Sequence, residues 1–131
     1  MGATILVVDD HRSIADTIVF ILNALSGEFA AVAAYSGQQA VEMARSLLPD
    51  LVLLDVNLPD TIGLEHALAV RDQCGCKVLL MSGDSRTGEI LLESDSGEGD
   101  RFEILSKPMH PLELIDRVRN AIRSYSGEAN P

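Results

Sequence analysis

The chain has 131 residues, of which 47% are apolar, and its twenty acidic and ten basic residues give a net charge of −10. This length predicts one domain with a full hydrophobic core that needs neither disulfides nor a structural metal. The negative charge disfavours nucleic acid and anionic membranes as partners. Because the sequence also contains no run of eighteen apolar residues and no signal-peptide pattern, we expect a cytoplasmic protein that binds neither DNA nor a membrane by itself.

Five short apolar runs alternate with helical patterns from the start of the chain to its end. The runs predict strands, which in chain order cover residues 4–8, 29–34, 51–55, 77–81 and 102–106. Apolar spacing of three and four residues predicts helices at 14–25, 37–48, 63–75 and 111–123. Ser36 and Gln39 form a capping-box pattern at the second of these helices.

The segment between the fourth and fifth strands is the least regular part of the chain. Residues 89–93 can hold one or two helical turns, but 94–100 are polar, acidic and glycine-bearing, which favours a loop. Two cysteines, Cys74 and Cys76, cannot supply a four-ligand zinc site, and we expect them as reduced thiols.

Strands that alternate with helices in this way predict an α/β fold with a doubly wound parallel sheet, right-handed crossovers and helices on both faces. We expect one domain over residues 1–125 and a polar tail at 126–131. We also favour a stand-alone protein.

Chemically useful side chains follow four of the five predicted strands. Because the carboxyl ends of parallel strands share one edge of the sheet, these side chains should converge there: Asp9, Asp10, Asp55, Ser82 and Lys107. Three carboxylates that converge without a cation would repel one another. Oxygen ligands with positions left for water indicate Mg²⁺, with Mn²⁺ as a substitute. His11 follows the acidic pair and could contact the pocket, but nothing in its spacing makes it a ligand.

A divalent cation in such a pocket would allow an anion to bind as well. Lys107 and the Ser82 hydroxyl are the donors that would hold the oxygens of a phosphoryl group. Asp55 is then the expected nucleophile, since carboxylates that attack phosphorus form aspartyl-phosphates.

Taken together, these residues resemble the receiver domain of two-component response regulators over about residues 4–124. The similarity rests on motifs that each follow a predicted strand, namely Asp9-Asp10, Asp55-x-x-x-Pro59-x-x-x-Gly63, Ser82 and Lys107-Pro108. The resemblance implies a flavodoxin-like, CheY-like sheet with strand order 2-1-3-4-5, an order that general descriptions of doubly wound folds illustrate with a member of this family.

The resemblance also implies a role for each site residue. Asp55 would accept a phosphoryl group from a phosphohistidine on a sensor kinase or a histidine phosphotransfer protein. Asp10, Asp55 and the backbone carbonyl of Asn57 would bind Mg²⁺, and Asp9 would act through a metal-bound water. Lys107 would pair with the phosphoryl group, Ser82 would move toward it, and a cis peptide before Pro108 would aim the lysine. Asp84 and Asn57 would set the lifetime of the phosphorylated state.

Phosphorylation would switch the binding of an output partner that the sequence does not identify. A second copy of the chain is one candidate, bound through the face of the helical turns at 89–93, the fifth strand at 102–106 and the last helix at 111–123. The sequence departs from the family at Ile104, where receivers usually carry Tyr or Phe, and Phe102 is a weak substitute. A degenerate receiver that acts as a phosphorylation-independent interaction module is therefore the alternative function.

Two further functions of the same fold class fit the sequence less well. A phosphatase-like enzyme would need a second acid at position 57, where the amide of Asn57 cannot act as a general acid. We therefore expect no turnover of external substrates. A flavin or nucleotide carrier would need a glycine-rich phosphate loop after the first strand, where Asp9 and Asp10 would repel the phosphate.

Overall fold

The protein folds around a parallel sheet of five strands, in the order β2-β1-β3-β4-β5. The structure is a computed structural model that describes residues 2–56, 65–83, 103–107 and 109–129. The strands are β1 (Ala3–Val8), β2 (Phe29–Ala34), β3 (Leu51–Asp55), β4 (Lys77–Ser82) and β5 (Glu103–Ser106). The described helices are α1 (Arg12–Asn23), α2 (Gly37–Leu47), α3 (Glu65–Cys74) and α4 (Pro111–Ala129). The predicted doubly wound sheet and its strand order are confirmed.

The central strands are buried on both faces of the sheet, because helices cover each face. Alternate residues of β1 and β3 face opposite ways, as the two-residue period of a strand requires. Leu53 packs into one core cluster with residues of α1 and α4, and Leu54 packs into the other with residues of α2 and α3. Every residue of β3 is buried, which explains why the sequence of this strand is a continuous apolar run.

The outer strand β2 is rich in alanine, a poor strand former, and a side chain stabilises its free edge. Asn23, the last residue of α1, accepts a hydrogen bond from the backbone N–H of Ala31 at 2.8 Å and donates one to the Ala31 carbonyl at 3.1 Å. The Asn23 amide therefore pairs with β2 as a neighbouring strand would. The sequence pattern alone did not predict this contact.

The start of α2 confirms the predicted capping interaction. The Ser36 hydroxyl accepts a hydrogen bond from the backbone N–H of Gln39 at 3.0 Å. The Gln39 side chain reaches back and accepts from the backbone N–H of Tyr35 at 2.8 Å. The first bond satisfies an N–H of the first turn that has no partner inside the helix. The second reaches Tyr35, one residue before the N-cap N–H that the reciprocal bond of a capping box uses.

Two features differ from the sequence expectations. Helix α4 continues to Ala129, so its backbone is helical through most of the expected tail. Cys76 is buried and disulfide-bonded, which contradicts the expectation of reduced thiols.

Among the described helices, none combines the length and the apolar character that a bilayer crossing requires.

Candidate functional site

The site lies at the carboxyl edge of the sheet, where β1, β3, β4 and β5 end. Val8 pairs with Leu54 in the parallel register, so the residues that follow them, Asp9 and Asp55, lie at the same level on neighbouring strands. From β1 the chain continues to β2 on one side of this strand pair, and from β3 it continues to β4 and β5 on the other side. In α/β folds, such a reversal of the strand order creates a crevice for ligands. The sheet therefore places two carboxylates side by side in that crevice.

Lys107, which follows β5, contacts residues at the ends of three other strands through its side chain and its backbone. Its Nζ lies 3.0 Å from Oδ2 of Asp9 and 3.1 Å from Oδ2 of Asp55. Its backbone N–H donates to the carbonyl of Ser82 at 2.8 Å, which ties the end of β5 to that of β4. The predicted convergence of these four residues is what the structure shows.

Burial makes this cluster electrostatically demanding. Asp9 is fully buried, and Asp55 and Ser82 are each 2% exposed. Burial by itself would raise the pKa of Asp9. The hydrogen bonds from the His11 backbone N–H and from Lys107, together with the lysine charge, outweigh it and lower the pKa of Asp9 below its usual value.

Lys107 experiences the complementary effect. Burial would lower its pKa, but the hydrogen bond to Asp9 and the negative charge of Asp55 outweigh that effect and raise it. The ammonium group therefore stays charged and stabilises two buried carboxylates that would otherwise repel each other.

Asp10 is the third carboxylate of the site, and one of its oxygens lacks a compensating partner. Its Oδ1 is buried and accepts no hydrogen bond from the described residues. Among the described residues, the nearest basic atom is Nδ1 of His11, which lies at 3.5 Å. A buried carboxylate oxygen without a donor is unfavourable, and a cation bound beside it would remove that cost.

The donor atoms fit a divalent cation. One potential ligand atom from each of four residues lies within 4.8 Å of the others, and these residues are Asp9, Asp10, His11 and Asp55. Such a compact group, dominated by carboxylate oxygens, matches the ligand preference of Mg²⁺ and Mn²⁺. The site can therefore hold a dication beside the Lys107 ammonium group.

Several sequence predictions fall outside the described residues. They concern Asn57, Pro59, Gly63, Asp84, residues 94–100, Phe102 and Pro108. Ile104, at the position where an aromatic residue was expected, is half-buried and packs against the core cluster on the α2 and α3 face. It occupies the position as an ordinary core-facing side chain.

The structure places His11 against the pocket, a contact that the sequence allowed without giving the residue a role. Its backbone N–H donates to Oδ1 of Asp9 at 2.9 Å, and its Nδ1 lies 3.3 Å from the same oxygen. The available signal was its position directly after the acidic pair at the end of β1. The imidazole turns back toward the carboxylates because the chain bends between Asp9 and the start of α1. The sequence pattern does not predict this bend.

Comparisons with known proteins give a consistent family assignment. The family model of the response regulator receiver domain matches residues 5–119. The chain is 34% identical over 128 residues to the DNA-binding response regulator MtrA of Mycobacterium tuberculosis. The aligned region covers 98% of this chain and 54% of MtrA. It is 30% identical over 125 residues to the regulatory protein VanR of Enterococcus faecium, covering 95% of this chain and 52% of VanR.

A solved structure shows the same fold over nearly the whole chain. The signal receiver domain of the response regulator NarL from Mycobacterium tuberculosis aligns with a TM-score of 0.77 at 28% identity, covering 93% of this chain and 97% of that one. By contrast, the chain spans about half the length of MtrA and VanR. Receiver domains interact with sensor kinases and bind Mg²⁺ in an acidic pocket, and they are generally not turnover enzymes. The chain belongs to the response regulator receiver domain family of two-component signalling.

Proposed function

We propose that Asp55 is the phosphoacceptor of this receiver domain. A carboxylate oxygen of Asp55 forms a bond to the phosphorus of a phosphohistidine, the phosphorus–nitrogen bond breaks, and the released imidazole nitrogen takes up a proton. The donor is a sensor histidine kinase or a histidine phosphotransfer protein. The observation that carries this proposal is the position of Asp55, which is buried at the end of β3 with Lys107 Nζ 3.1 Å from its Oδ2.

Asp10, Asp55 and the backbone carbonyl of Asn57 would hold Mg²⁺, and Asp9 would act through a bound water. Mn²⁺ can substitute. When bound, the cation would neutralise negative charge on the phosphoryl oxygens during transfer. The buried Oδ1 of Asp10, which has no donor among the described residues, supports a cation here, as does the compact group of carboxylates around it.

Lys107 and Ser82 would bind the phosphoryl group. Lys107 already lies within hydrogen-bond distance of Asp55, so a phosphoryl group on that carboxylate would compete with Asp9 for the ammonium group. The Ser82 hydroxyl, one strand away and buried, would donate to a second phosphoryl oxygen. These shifts at the ends of β4 and β5 would report phosphorylation to the surface.

A cavity between α1 and the acidic site offers a surface for the phosphodonor. Lys107 lines a cavity of about 590 Å³ together with mainly apolar residues of α1, β4, β5 and the start of α4. A partner helix that carries the phosphohistidine could pack its apolar residues there and present the imidazole to Asp55. The output partner is unidentified, with a second copy of the chain as one candidate. We place the protein in the cytoplasm and expect it to turn over no external substrate.

The test is phosphorylation by a small-molecule donor. The wild-type chain is incubated with acetyl phosphate, with and without Mg²⁺, and intact mass is measured. We expect a mass gain of one phosphoryl group in the presence of Mg²⁺ and none in Asp55→Asn, whose amide is a poor nucleophile. A mass gain that persists in Asp55→Asn would overturn the assignment of the phosphoacceptor.

A phosphorylation-independent interaction module is the alternative, and the observation in its favour is Ile104. This side chain packs into the core cluster on the α2 and α3 face, where the family usually places an aromatic residue that responds to phosphorylation. Absence of any mass gain in the wild type, with Mg²⁺ and a folded chain, would favour this alternative.

A further inference from the structure

We infer that His11 is an additional metal ligand of the acidic pocket, and that it shifts the pocket's preference from Mg²⁺ toward transition-metal dications such as Mn²⁺ and Co²⁺. The inference rests on the proposed cation site at Asp9, Asp10 and Asp55. It concerns a nitrogen ligand that the carboxylates and the carbonyl of that site do not supply.

The backbone of His11 is fixed next to the carboxylates. His11 is the N-cap residue of α1, with extended dihedral angles of φ −84° and ψ 101°. Its carbonyl accepts hydrogen bonds from the N–H groups of Ile14 and Ala15 in the first turn, and its own N–H donates to Asp9 at 2.9 Å. The residue therefore cannot move far from the acidic pair without breaking the start of the helix.

The imidazole is not used for helix capping. N-cap residues usually offer a side-chain acceptor to the first turn, but the His11 side chain makes no such bond. Its Nδ1 instead points to the pocket, 3.3 Å from Oδ1 of Asp9 and 3.5 Å from Oδ1 of Asp10. The second of these oxygens is the one that lacks a hydrogen-bond donor among the described residues.

These distances match ligand atoms arranged around one cation. Octahedral coordination with bonds of about 2.1 Å separates neighbouring ligand atoms by about 3.0 Å and opposite ones by about 4.2 Å. The 3.5 Å between His11 Nδ1 and Oδ1 of Asp10 is close to the first value. Asp9 would bind through a water and need not meet it, and the full group of four residues spans 4.8 Å, somewhat more than the second value. The ring is 66% exposed, so it can make the small adjustment that bond formation needs.

The chemistry of an imidazole ligand sets the selectivity. Mg²⁺ is a hard cation that prefers oxygen and keeps several of its waters. Affinity for sites that contain nitrogen increases from Mn²⁺ toward the later first-row dications. An imidazole that replaces one water should therefore strengthen the binding of Mn²⁺ and Co²⁺ but add little to the binding of Mg²⁺.

The experiment compares metal binding in the full chain, its His11→Ala variant and a His110→Asn control. His110 is an exposed histidine whose Nδ1 accepts a hydrogen bond from the backbone N–H of Leu112 at 3.1 Å, an interaction that asparagine can retain. Calorimetric titrations give the affinities for Mg²⁺, Mn²⁺ and Co²⁺. Pulsed electron paramagnetic resonance of the Mn²⁺-loaded proteins detects a coordinated ¹⁴N nucleus directly.

We expect ¹⁴N coupling in the wild type and in His110→Asn, and none in His11→Ala. Co²⁺ affinity should fall in His11→Ala by at least about tenfold, the lower end of the loss seen when residues that only orient a metal ligand are replaced. Mg²⁺ affinity should change little. Wild-type protein without ¹⁴N coupling, or equal losses for Mg²⁺ and Co²⁺, would overturn the inference.

Phosphorylation of the same samples separates this inference from the proposed function. If the wild type gains a phosphoryl group with Mg²⁺ but shows no ¹⁴N coupling, the assignment of His11 fails and that of Asp55 stands. If the coupling is present but no phosphoryl group is transferred, the phosphoacceptor proposal fails, while His11 remains a metal ligand.

Discussion

The Nζ atom of Lys107 lies 3.1 Å from Oδ2 of Asp55, although 52 residues separate the two in sequence. The same atom lies 3.0 Å from Oδ2 of Asp9. One ammonium group therefore bridges the carboxylate of Asp9, which follows β1, and that of Asp55, the last residue of the adjacent strand β3. A lysine in this position stabilises the acidic pocket in the absence of metal and is available to a phosphoryl group on Asp55.

The stability of the metal-free protein should depend on pH through the contact between Asp9 and Lys107. The pKa of Asp9 is lowered from 3.8, so its contribution is present above about pH 3.8 and is lost as the pH falls through the folded-state value. The pKa of Lys107 is raised from 10.5, so its contribution is present below about pH 10.5 and is lost as the pH rises through the folded-state value.

Urea unfolding at several pH values, without divalent metal, measures both limits. Asp9→Asn should lose less stability than the wild type between pH 5 and pH 3, because the variant has no carboxylate to protonate at this position. If the wild type and Asp9→Asn lose equal stability over this range, the assignment of the acid limit to Asp9 is wrong.

Asp10→Asn should stabilise the metal-free protein and weaken its response to metal. The substitution replaces a charged carboxylate, whose buried Oδ1 has no hydrogen-bond donor among the described residues, by a neutral amide. Because the side chain is 30% exposed, we expect a gain of only about 1 kcal/mol, the lower end of the cost of an unsatisfied buried polar group. The stabilisation by saturating Mg²⁺, which depends on affinity for the folded state, should fall.

Thermal and urea unfolding with and without Mg²⁺ would test this trade-off. Asp72→Asn is a suitable control, because Asp72 is an exposed carboxylate on α3 and should change neither quantity. A loss of metal-free stability in Asp10→Asn would show that Asp10 makes a stabilising contact of its own.

The sequence predicted the fold well because each level of structure gave the same answer. The continuous apolar run of β3 and the acidic pair after β1 predicted both the parallel sheet and the edge where its functional side chains meet. The spacing of apolar residues predicted the bounds of α1, α2 and α3 to within two residues, and it predicted the start of α4.

The contacts that the sequence did not predict depend on side-chain direction. Asn23 pairs with the free edge of β2, and His11 turns back toward Asp9. Neither contact follows from hydrophobic periodicity, because each needs the relative position of two elements and the bend between them. The extension of α4 to Ala129 was missed for another reason, since a polar segment without an apolar stripe gives no helical pattern to detect.

Leu48→Gly should stabilise the protein. Leu48 is the C-cap residue that follows α2, with left-handed dihedral angles of φ 47° and ψ 62°, and its side chain is 63% exposed. The left-handed conformation costs a non-glycine residue about 1–2 kcal/mol, and the additional chain entropy that glycine loses on folding offsets about 0.5–1 kcal/mol of that. We therefore expect a net gain of about 0.5–1 kcal/mol in the free energy of unfolding.

Leu47→Gly, one residue earlier, provides the matched control for Leu48→Gly. Leu47 is the last residue of α2 and is also partly exposed, but glycine in a right-handed helix is unfavourable by about 1 kcal/mol. The two variants should therefore change stability in opposite directions. Destabilisation by both would show that the Leu48 side chain contributes more to packing than its exposure indicates.

Lys107→Met should separate the catalytic role of the lysine from metal binding. Methionine keeps much of the length of the side chain but removes the charge that contacts Asp9 and Asp55. We expect phosphorylation of Asp55 by acetyl phosphate to slow by about 10²–10³-fold, the usual cost of removing one donor that stabilises transition-state charge. Mg²⁺ affinity should be retained or increased, because the positive charge that competes for the same carboxylates is gone.

Lys77→Met is the control, since Lys77 lies at the opposite end of β4, 3.5 Å from Glu103, and should leave both measurements unchanged. A rate for Lys107→Met equal to that of Lys77→Met would mean that the ammonium group serves only to stabilise the metal-free pocket.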